Sequence, residues 1–521
     1  MKNFLIILFI AIITTACNNQ KTKISNVLPN SGPIQLHPDN QHYFLFKGKP
    51  LAIISSGEHY GAVINLDFDY KKYLKTLSDD GMNYTRIFTG AYFEAGGEYF
   101  GIQHNTLGIA LDKIITPWNK VDSDTSDKNM YDLTVWNDAY FKRLKDFMEV
   151  AAEYDIIVEV TLFSSYYGNQ QWGISPLNPI NNINLSNEIS FSKAQTLPNT
   201  LLFKFQEKYV RKMVRELNQY DNFFFEIQNE PWADHLDTIR NIVNNERLDI
   251  NDSTLKANFA NKESLQWQKQ MASIIVDEEK SLAKKHLIAQ NYADFKNYNK
   301  MQSVASLCQE RKDLTPQYKF PVPEIDENIS VIIFHYAGPE TVEWNYHNNK
   351  VIGFDESGFA GSEDYTYRKQ AWRFMLSGGG LFNNLDYSFF VGHEDGLGKN
   401  KAPGGGSKVL RNQLKILSNF LHSFELTKLH PNHSCIISSP ELVTYVLSDK
   451  NNSYAIFLEA VDTKKSTLQI KTDDGNYQIQ TINTITGLFS DLVITEAVNG
   501  VLNIEISIPN EELVLKITKE L

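Results

Sequence analysis

A chain of 521 residues exceeds what one hydrophobic core usually spans, so two folded domains are expected. With 42% hydrophobic and 21% charged residues it has the make-up of an ordinary globular protein, not of a disordered or fibrous one. Its 50 Lys and Arg against 62 Asp and Glu leave a net charge of -12 with no basic stripe to override it, which excludes nucleic acid as the natural partner.

The chain begins MKNFLIILFIAIITTAC, with a positive start at Lys2, an apolar stretch over 4–13 and small residues ahead of Cys17. About ten apolar residues fall short of the ~20 that a membrane-spanning helix needs, so this reads as an export signal. Thr-Ala-Cys resembles a bacterial lipobox. That resemblance implies a signal peptide over 1–17, a lipidated Cys17, a polar tether over 18–33 and residence in the bacterial cell envelope, with the anchor as the one membrane contact. The remaining Cys308 and Cys435 are too few for a disulfide framework or a zinc cage.

From residue 34 to 424, short apolar runs alternate with amphipathic ones. PLAIIS (50–55) reads as a strand, and the helix after it carries Tyr70, Tyr73, Leu74 and Leu77 on one face and stops at Gly81. NYTRIF (83–88) is the next strand. A helix capped by Asn137 or Asp138 and buried through Phe141, Leu144, Met148 and Ala151 leads into IIVEVTLF (156–163). A helix through Tyr209 and Met213 precedes FFFEIQ, and one near 262–285 precedes HLIAQNY. VIIFHY (331–336), VIGFDES (351–357) and GLFNNLDYSF (380–389) complete about eight strands. This alternation, with no Gly-rich turn after the first strand, predicts an α/β fold of the (β/α)8 TIM-barrel type.

Long insertions at 90–136 and 164–199 follow strands and so belong on the C-terminal face of such a barrel. The acidic run DSDTSDKN (122–129) lacks the glycine and glutamate of a calcium loop and reads as solvated loop. GLGKNKAPGGGSK (396–408) misses phosphate-loop spacing and is expected to be a flexible flap. From 425 to 521 the period changes to two, which predicts an accessory all-β sandwich.

Two strands end on glutamate: the fourth in Gln-Asn-Glu-Pro-Trp at Glu230, and the seventh in Gly-Phe-Asp-Glu-Ser-Gly at Glu356. Barrel geometry sets both across one mouth, and burying two carboxylates together costs several kcal/mol unless each has partners or a task. With the strand rhythm around them, these motifs resemble the retaining glycoside hydrolases of the (β/α)8 clan that includes cellulases and β-mannanases. The resemblance spans the barrel and is specific to the clan, not to a family within it.

It implies hydrolysis of β-linked glycosidic bonds in a poly- or oligosaccharide by double displacement, with Glu356 as nucleophile, Glu230 as acid/base and no cofactor or metal. By the same resemblance Asn229 contacts the sugar 2-hydroxyl, Arg86 keeps the nucleophile ionised, and His335 and Tyr336 contact sugar and nucleophile. Glu226 shares strand parity with Glu230 and is expected below it, as the partner of a cation such as Arg86. Trp232 and Trp172 are candidate sugar platforms, as are Trp118 and Trp344, while Glu58, His59, Asn384 and Asp386 sit at strand ends. Where many clan members carry histidine at the end of strand three, this chain has Leu162-Phe163-Ser164-Ser165-Tyr166. Two other readings are a carbohydrate-binding lipoprotein on a silent barrel, and a metal-dependent hydrolase, for which the His/Asp cluster is missing from the sequence pattern.

Overall fold

The structure is a computed structural model that describes residues 32–520, apart from 97, 122–128, 198–199, 242, 245–255, 295–314, 317–321, 323–324, 461–462 and 509–510. The signal segment with Cys17, most of the acidic run and Cys308 lie outside the described residues.

Eight parallel strands form the body: β1 (Ile53–Gly57), β2 (Tyr84–Phe88), β3 (Ile157–Ser164), β4 (Phe223–Asn229), β5 (Ile288–Asp294), β6 (Val331–His335), β7 (Val351–Ser357) and β8 (Leu381–Leu385). Their order is β1-β8-β7-β6-β5-β4-β3-β2. Every residue of these strands is buried, which is why they read as unbroken apolar runs. β1 and β2 are not joined by a described ladder; side chains close the seam. Asn83 accepts from the Ile54 amide at 3.1 Å and donates to Ala52 O at 3.3 Å, and Ser55 Oγ donates to Tyr84 O at 2.6 Å.

The helices form for local reasons. In α1 (Tyr70–Asp79) the Asp69 carboxylate caps the Lys72 amide, and the buried face is Tyr70, Tyr73, Leu74 and Leu77. In α2 (Asp138–Glu153) Asn137 accepts from the amides of Ala139 and Tyr140. Further on, α3 (Thr200–Leu217), α4 (Lys262–Glu279), α5 (Pro339–Asn345), α6 (Asp364–Leu376) and α7 (Lys408–His422) complete the outer layer. Among the described residues, no helix is long and apolar enough to cross a membrane.

The bottom of the barrel is apolar and plugged. Ile34 and Phe44, from the segment ahead of β1, pack against Ile53, Tyr84, Ile157, Phe224, Val331, Val351 and Leu381. The top is built up by a hairpin that the sequence pattern did not suggest: Leu236–Asn241 pairs antiparallel with Lys256–Ala260, which pairs in turn with the end of β5.

The C-terminal strands form a six-stranded antiparallel sheet and a three-stranded one around a second core that includes Val446, Ile456, Leu468, Leu502 and Leu515. This sandwich is fused to the barrel. Trp372 of α6 stacks on Phe457 at 5.7 Å, Arg373 holds Glu459 through two bonds of 2.7 Å, and Arg368 reaches Glu512 at 2.9 Å.

The glycine-rich segment after β8 is packed, not a loose flap. Arg411 Nη2 donates to Gly396 O at 2.9 Å and the Tyr387 amide to Gly405 O at 3.1 Å. A Cβ on Gly404 would stand 2.2 Å from the Tyr387 ring, so the close approach of that ring is what requires glycine here.

Candidate active site

The barrel interior is layered. Above the apolar floor lies a layer of buried charge: Arg86 from β2, Glu159 from β3, Glu226 from β4 and Asp355 from β7. Arg86 Nη2 meets Glu226 Oε1 at 2.6 Å and Nε meets Oε2 at 2.8 Å, while Asp355 Oδ2 lies 3.4 Å from Nε. Thr161 and Asn291 also donate to Glu226. Burial alone would lower the Arg86 pKa, but the charges of Glu226 and Asp355 outweigh it and hold it well above the usual value. Burial, with the Asp355 and Glu226 charges, raises the Glu159 pKa well above its ordinary value, and the Tyr84 hydroxyl donates to it.

The two strand-end glutamates stand directly above. One carboxylate oxygen each of Glu230 and Glu356, with a ring nitrogen of His335, lie within 4.8 Å of one another. His335 Nδ1 is 3.0 Å from Glu230 Oε1 and 3.5 Å from Glu356 Oε2, and Nε2 is 3.2 Å from Asp355 Oδ1. Burial would lower the His335 pKa; the charges of Glu356 and Asp355 prevail and raise it well above normal. Glu356 accepts from Arg86 Nη1 at 3.1 Å and from the Tyr336 hydroxyl at 2.7 Å. Glu230 Oε2 accepts from the Tyr167 hydroxyl at 2.7 Å, and Asn291 and Ser165 bond its backbone at 3.1 and 2.7 Å. Burial and nearby carboxylates raise both tyrosines well above 10, so they stay phenols that donate.

Asn229 is oriented by three partners. Its amide oxygen accepts from Arg86 at 2.8 Å, and its nitrogen donates to Ser164 Oγ at 3.2 Å and Tyr167 Oη at 2.9 Å. Trp232 stands edge-on to His335, ring centres 5.3 Å apart. A pocket of about 240 Å³ opens over these groups, lined also by His59, Tyr92, Glu94, Leu107 and Phe359. Six of its lining residues, Tyr60, Phe100, Tyr167, Glu230, Tyr336 and Phe359, hold positive φ between 46° and 61°. Backbone strain of this kind persists only where the surroundings enforce it, and it gathers at working sites.

The structure thus brings Glu230, Glu356, Asn229, Arg86, His335, Tyr336, Trp232 and His59 together. Other candidates fall elsewhere. Trp172 is buried against Tyr166 at 4.6 Å with its Nε1 donating to Ile189 O at 2.6 Å; it shores up the insertion after β3 and offers no face to the pocket. Trp118 and Trp344 are buried too. Asn384 is fully buried and donates to Ser56 Oγ at 3.1 Å. Asp386 pairs with Arg411 at 2.6 Å and accepts from Ser56 at 2.8 Å, tying β8 to β1 and α7. Glu58 turns away as well: it accepts from the Gly61 and Ala62 amides at 3.1 and 3.0 Å and from Thr106 Oγ1 at 2.7 Å.

Tyr167 was not foreseen, nor were Tyr92, Glu94 and Leu107 of the first insertion. The Tyr166-Tyr167 pair directly after β3 was the available signal. The sets Glu226/His335/Asp355 and Glu230/His335/Glu356 each gather three metal-ligating side chains. They fit a metal ion poorly, because the Arg86 guanidinium already lies among these carboxylates, 2.6 Å from Glu226, 3.4 Å from Asp355 and 3.1 Å from Glu356.

No protein-family profile matches the sequence, and no curated protein does. Solved structures do resemble it. One described as a "putative glycoside hydrolase" from Bacteroides vulgatus ATCC 8482 has a TM-score of 0.62 at 11% identity, covering 94% of this chain and 83% of its own. A glycoside hydrolase family 5 protein from the same organism has a TM-score of 0.56 at 12% identity, covering 94% and 93%. A third, described as a glycoside hydrolase, has 0.54 at 12%, covering 94% and 97%. At these identities the likeness establishes a shared fold, the barrel with its C-terminal β domain.

Proposed function

We propose that this chain is a retaining glycoside hydrolase acting on β-linked sugars. The observation that carries the reading is that one carboxylate oxygen of Glu230 and one of Glu356 lie within 4.8 Å of each other. Retaining enzymes hold their carboxyls ~5–5.5 Å apart, whereas inverting ones need ~6.5–9.5 Å to admit a water between them. Two carboxylates this close cannot both keep full charge cheaply. In this reading Glu356, which accepts from Arg86 and Tyr336, is the nucleophile, and Glu230 is the acid/base.

Glu356 attacks the anomeric carbon as the glycosidic C–O bond breaks, and Glu230 gives its proton to the leaving oxygen. Water then attacks the glycosyl ester, Glu230 takes the water's proton, and the bond to Glu356 breaks with its electrons returning to the carboxylate. Asn229, held by Arg86 and Tyr167, offers its amide toward the sugar 2-hydroxyl. The fold shared with glycoside hydrolases supports this reading, and no step needs a cofactor.

The test is hydrolysis of aryl β-glycosides and β-linked polysaccharides by protein lacking residues 1–20, beside Glu356→Ala and Glu230→Ala. Loss of turnover in the first, with azide rescue of the second, supports the mechanism; no turnover on any substrate counts against it. Lipid attachment at Cys17 and a place in the cell envelope belong to the same proposal, and Cys17→Ala should release the protein into the soluble fraction.

A further inference from the structure

One stretch of the pocket wall carries polar groups that the double displacement does not use. Glu94, in the insertion after β2, and His59, just after β1, line the pocket together with Glu230 and Glu356. Glu94 is 5% exposed. Its Oε2 accepts from Asn105, and its Oε1 accepts from the Tyr92 hydroxyl at 3.3 Å. His59 Nε2 stands 3.5 Å from that same Oε1. A tight bond between a ring N–H and a carboxylate is ~2.7–2.9 Å long, so this pair is loosely joined and each group keeps capacity for a further partner. Among the described residues His59 Nδ1 has no hydrogen-bond partner, so the ring is not tied into the scaffold from behind.

The wall holds its shape by other bonds. The Glu94 amide donates to Leu107 O at 3.0 Å, Asn105 Oδ1 accepts from the Leu107 amide at 2.8 Å, and Thr106 Oγ1 donates to His59 O at 2.8 Å and to Glu58 at 2.7 Å. The pair also lies within electrostatic reach of Glu230 and Glu356. Burial would lower the His59 pKa, but the charges of Glu94, Glu356 and Glu58 prevail and raise it. Burial raises the Tyr92 pKa well above 10, and the charges of Glu94 and Glu230 both add to it. Glu94, Glu230, Glu356 and Asp294 all face the pocket, and no lysine or arginine is among the described residues that line it. Arg86, from below, directs its donors to Glu226, Asn229 and Glu356.

Resting on the glycosidase reading above, we infer that Glu94 and His59 are substrate-binding residues that take the hydroxyls of a neutral sugar ring, and that this wall rejects uronic acid residues. A hydroxyl both donates and accepts, so it suits a place where a carboxylate oxygen accepts and an imidazole N–H donates side by side. A uronate carboxylate only accepts. Against this wall it would meet Glu94, Glu230 and Glu356 with no guanidinium or ammonium turned toward it, and like charges brought together out of water repel strongly.

The test sets 4-nitrophenyl β-glycosides of neutral mono- and disaccharides beside 4-nitrophenyl β-D-glucuronide, with wild type, Glu94→Gln and His59→Ala. Wild type should favour its best neutral glycoside over the glucuronide by on the order of 100-fold or more in kcat/KM. Each variant should lower kcat/KM on that neutral glycoside by on the order of 10- to 100-fold. Monodeoxy derivatives of the same substrate separate contact from scaffolding. For one of them wild type should lose a similar factor, and Glu94→Gln nothing further. A glucuronide turned over as fast as the neutral glycosides, or faster, would overturn the exclusion while leaving the glycosidase reading intact. An unchanged kcat/KM in Glu94→Gln, or a loss there that adds in full to every deoxy effect, would overturn the contact with Glu94. An unchanged His59→Ala would remove His59 from the site. No hydrolysis of any glycoside, the glucuronide included, would overturn the glycosidase reading, and this inference with it.

Discussion

Arg86 Nη1 donates to Glu356 Oε2 at 3.1 Å across 270 residues of sequence, while the rest of the same guanidinium grips Glu226. One buried cation therefore serves a carboxylate below the site and another inside it. Arg86→Met leaves Glu226 and Asp355 without their main countercharge, and breaking a buried pair in this way costs about 3–5 kcal/mol. Urea denaturation should show that loss, and Arg86→Met with Glu226→Gln should recover part of it. A single variant as stable as wild type would contradict the pairing.

Tyr167→Phe removes the donor to Glu230 and the acceptor of Asn229. A hydrogen bond to a charged group contributes about 1.5–3 kcal/mol, so kcat/KM should fall by roughly 10-fold or more. The phenol favours the charged form of Glu230, so without it the acid holds its proton to higher pH. The alkaline limb of the pH–rate profile should accordingly move upward. A profile that keeps its shape and height would remove Tyr167 from the mechanism.

Stability should depend on pH through Glu58, whose carboxyl is raised by burial to about 7 from an ordinary 4.5. A raised folded-state pKa means a contribution that is complete below 4.5 and lost as pH rises through about 7. Thermal melts of wild type should therefore lose stability across that window, by on the order of 3 kcal/mol if Glu58 acted alone. Glu58→Gln should flatten the slope there. A variant that follows the wild-type curve would show that Glu58 does not titrate in the window.

Truncation after residue 424 should yield a barrel that does not fold stably. It would uncover Trp372, which stacks on Phe457, and would strip Arg373 and Arg368 of Glu459 and Glu512. Burial would raise the Glu459 pKa, but Arg373 and Lys369 outweigh it and hold it low, as for a carboxylate that stays ionised within the interface. A soluble, cooperatively melting fragment would refute this dependence.

The barrel was legible because strands buried on both faces read as unbroken apolar runs, and the helices because one face must be apolar every three to four residues. Glu230 and Glu356 stood out as charges at the ends of such runs. Tyr167 did not, since nothing local separates it from Tyr166. The choice between them is made by Asp234, whose carboxylate accepts from the amides of Tyr166 and Tyr167 at 2.5 and 2.9 Å from 67 or 68 residues away. Trp172 misled for the same reason: an aromatic in a long insertion can face substrate or its own loop, and only the packing of Tyr166 decides. Asn384 and Asp386 sit at a strand end, but the Arg411 guanidinium of α7 pulls Asp386 toward the helix layer. Glu94 lies in an insertion without regular structure, so its place on the pocket wall follows from contacts with Leu107 and Asn105 that carry no periodic signature.

The most direct measurement is to trap the covalent intermediate with the 2-deoxy-2-fluoro derivative of whichever aryl β-glycoside the enzyme hydrolyses, and to map the label by mass spectrometry. The fluorine slows both steps, and a good leaving group restores the first, so the glycosyl ester accumulates. One adduct per chain, on the peptide that contains Glu356 and absent from Glu356→Ala, is the expected result. A label on another residue, or turnover without any adduct and with inverted product, would contradict the retaining mechanism and the role of Glu356.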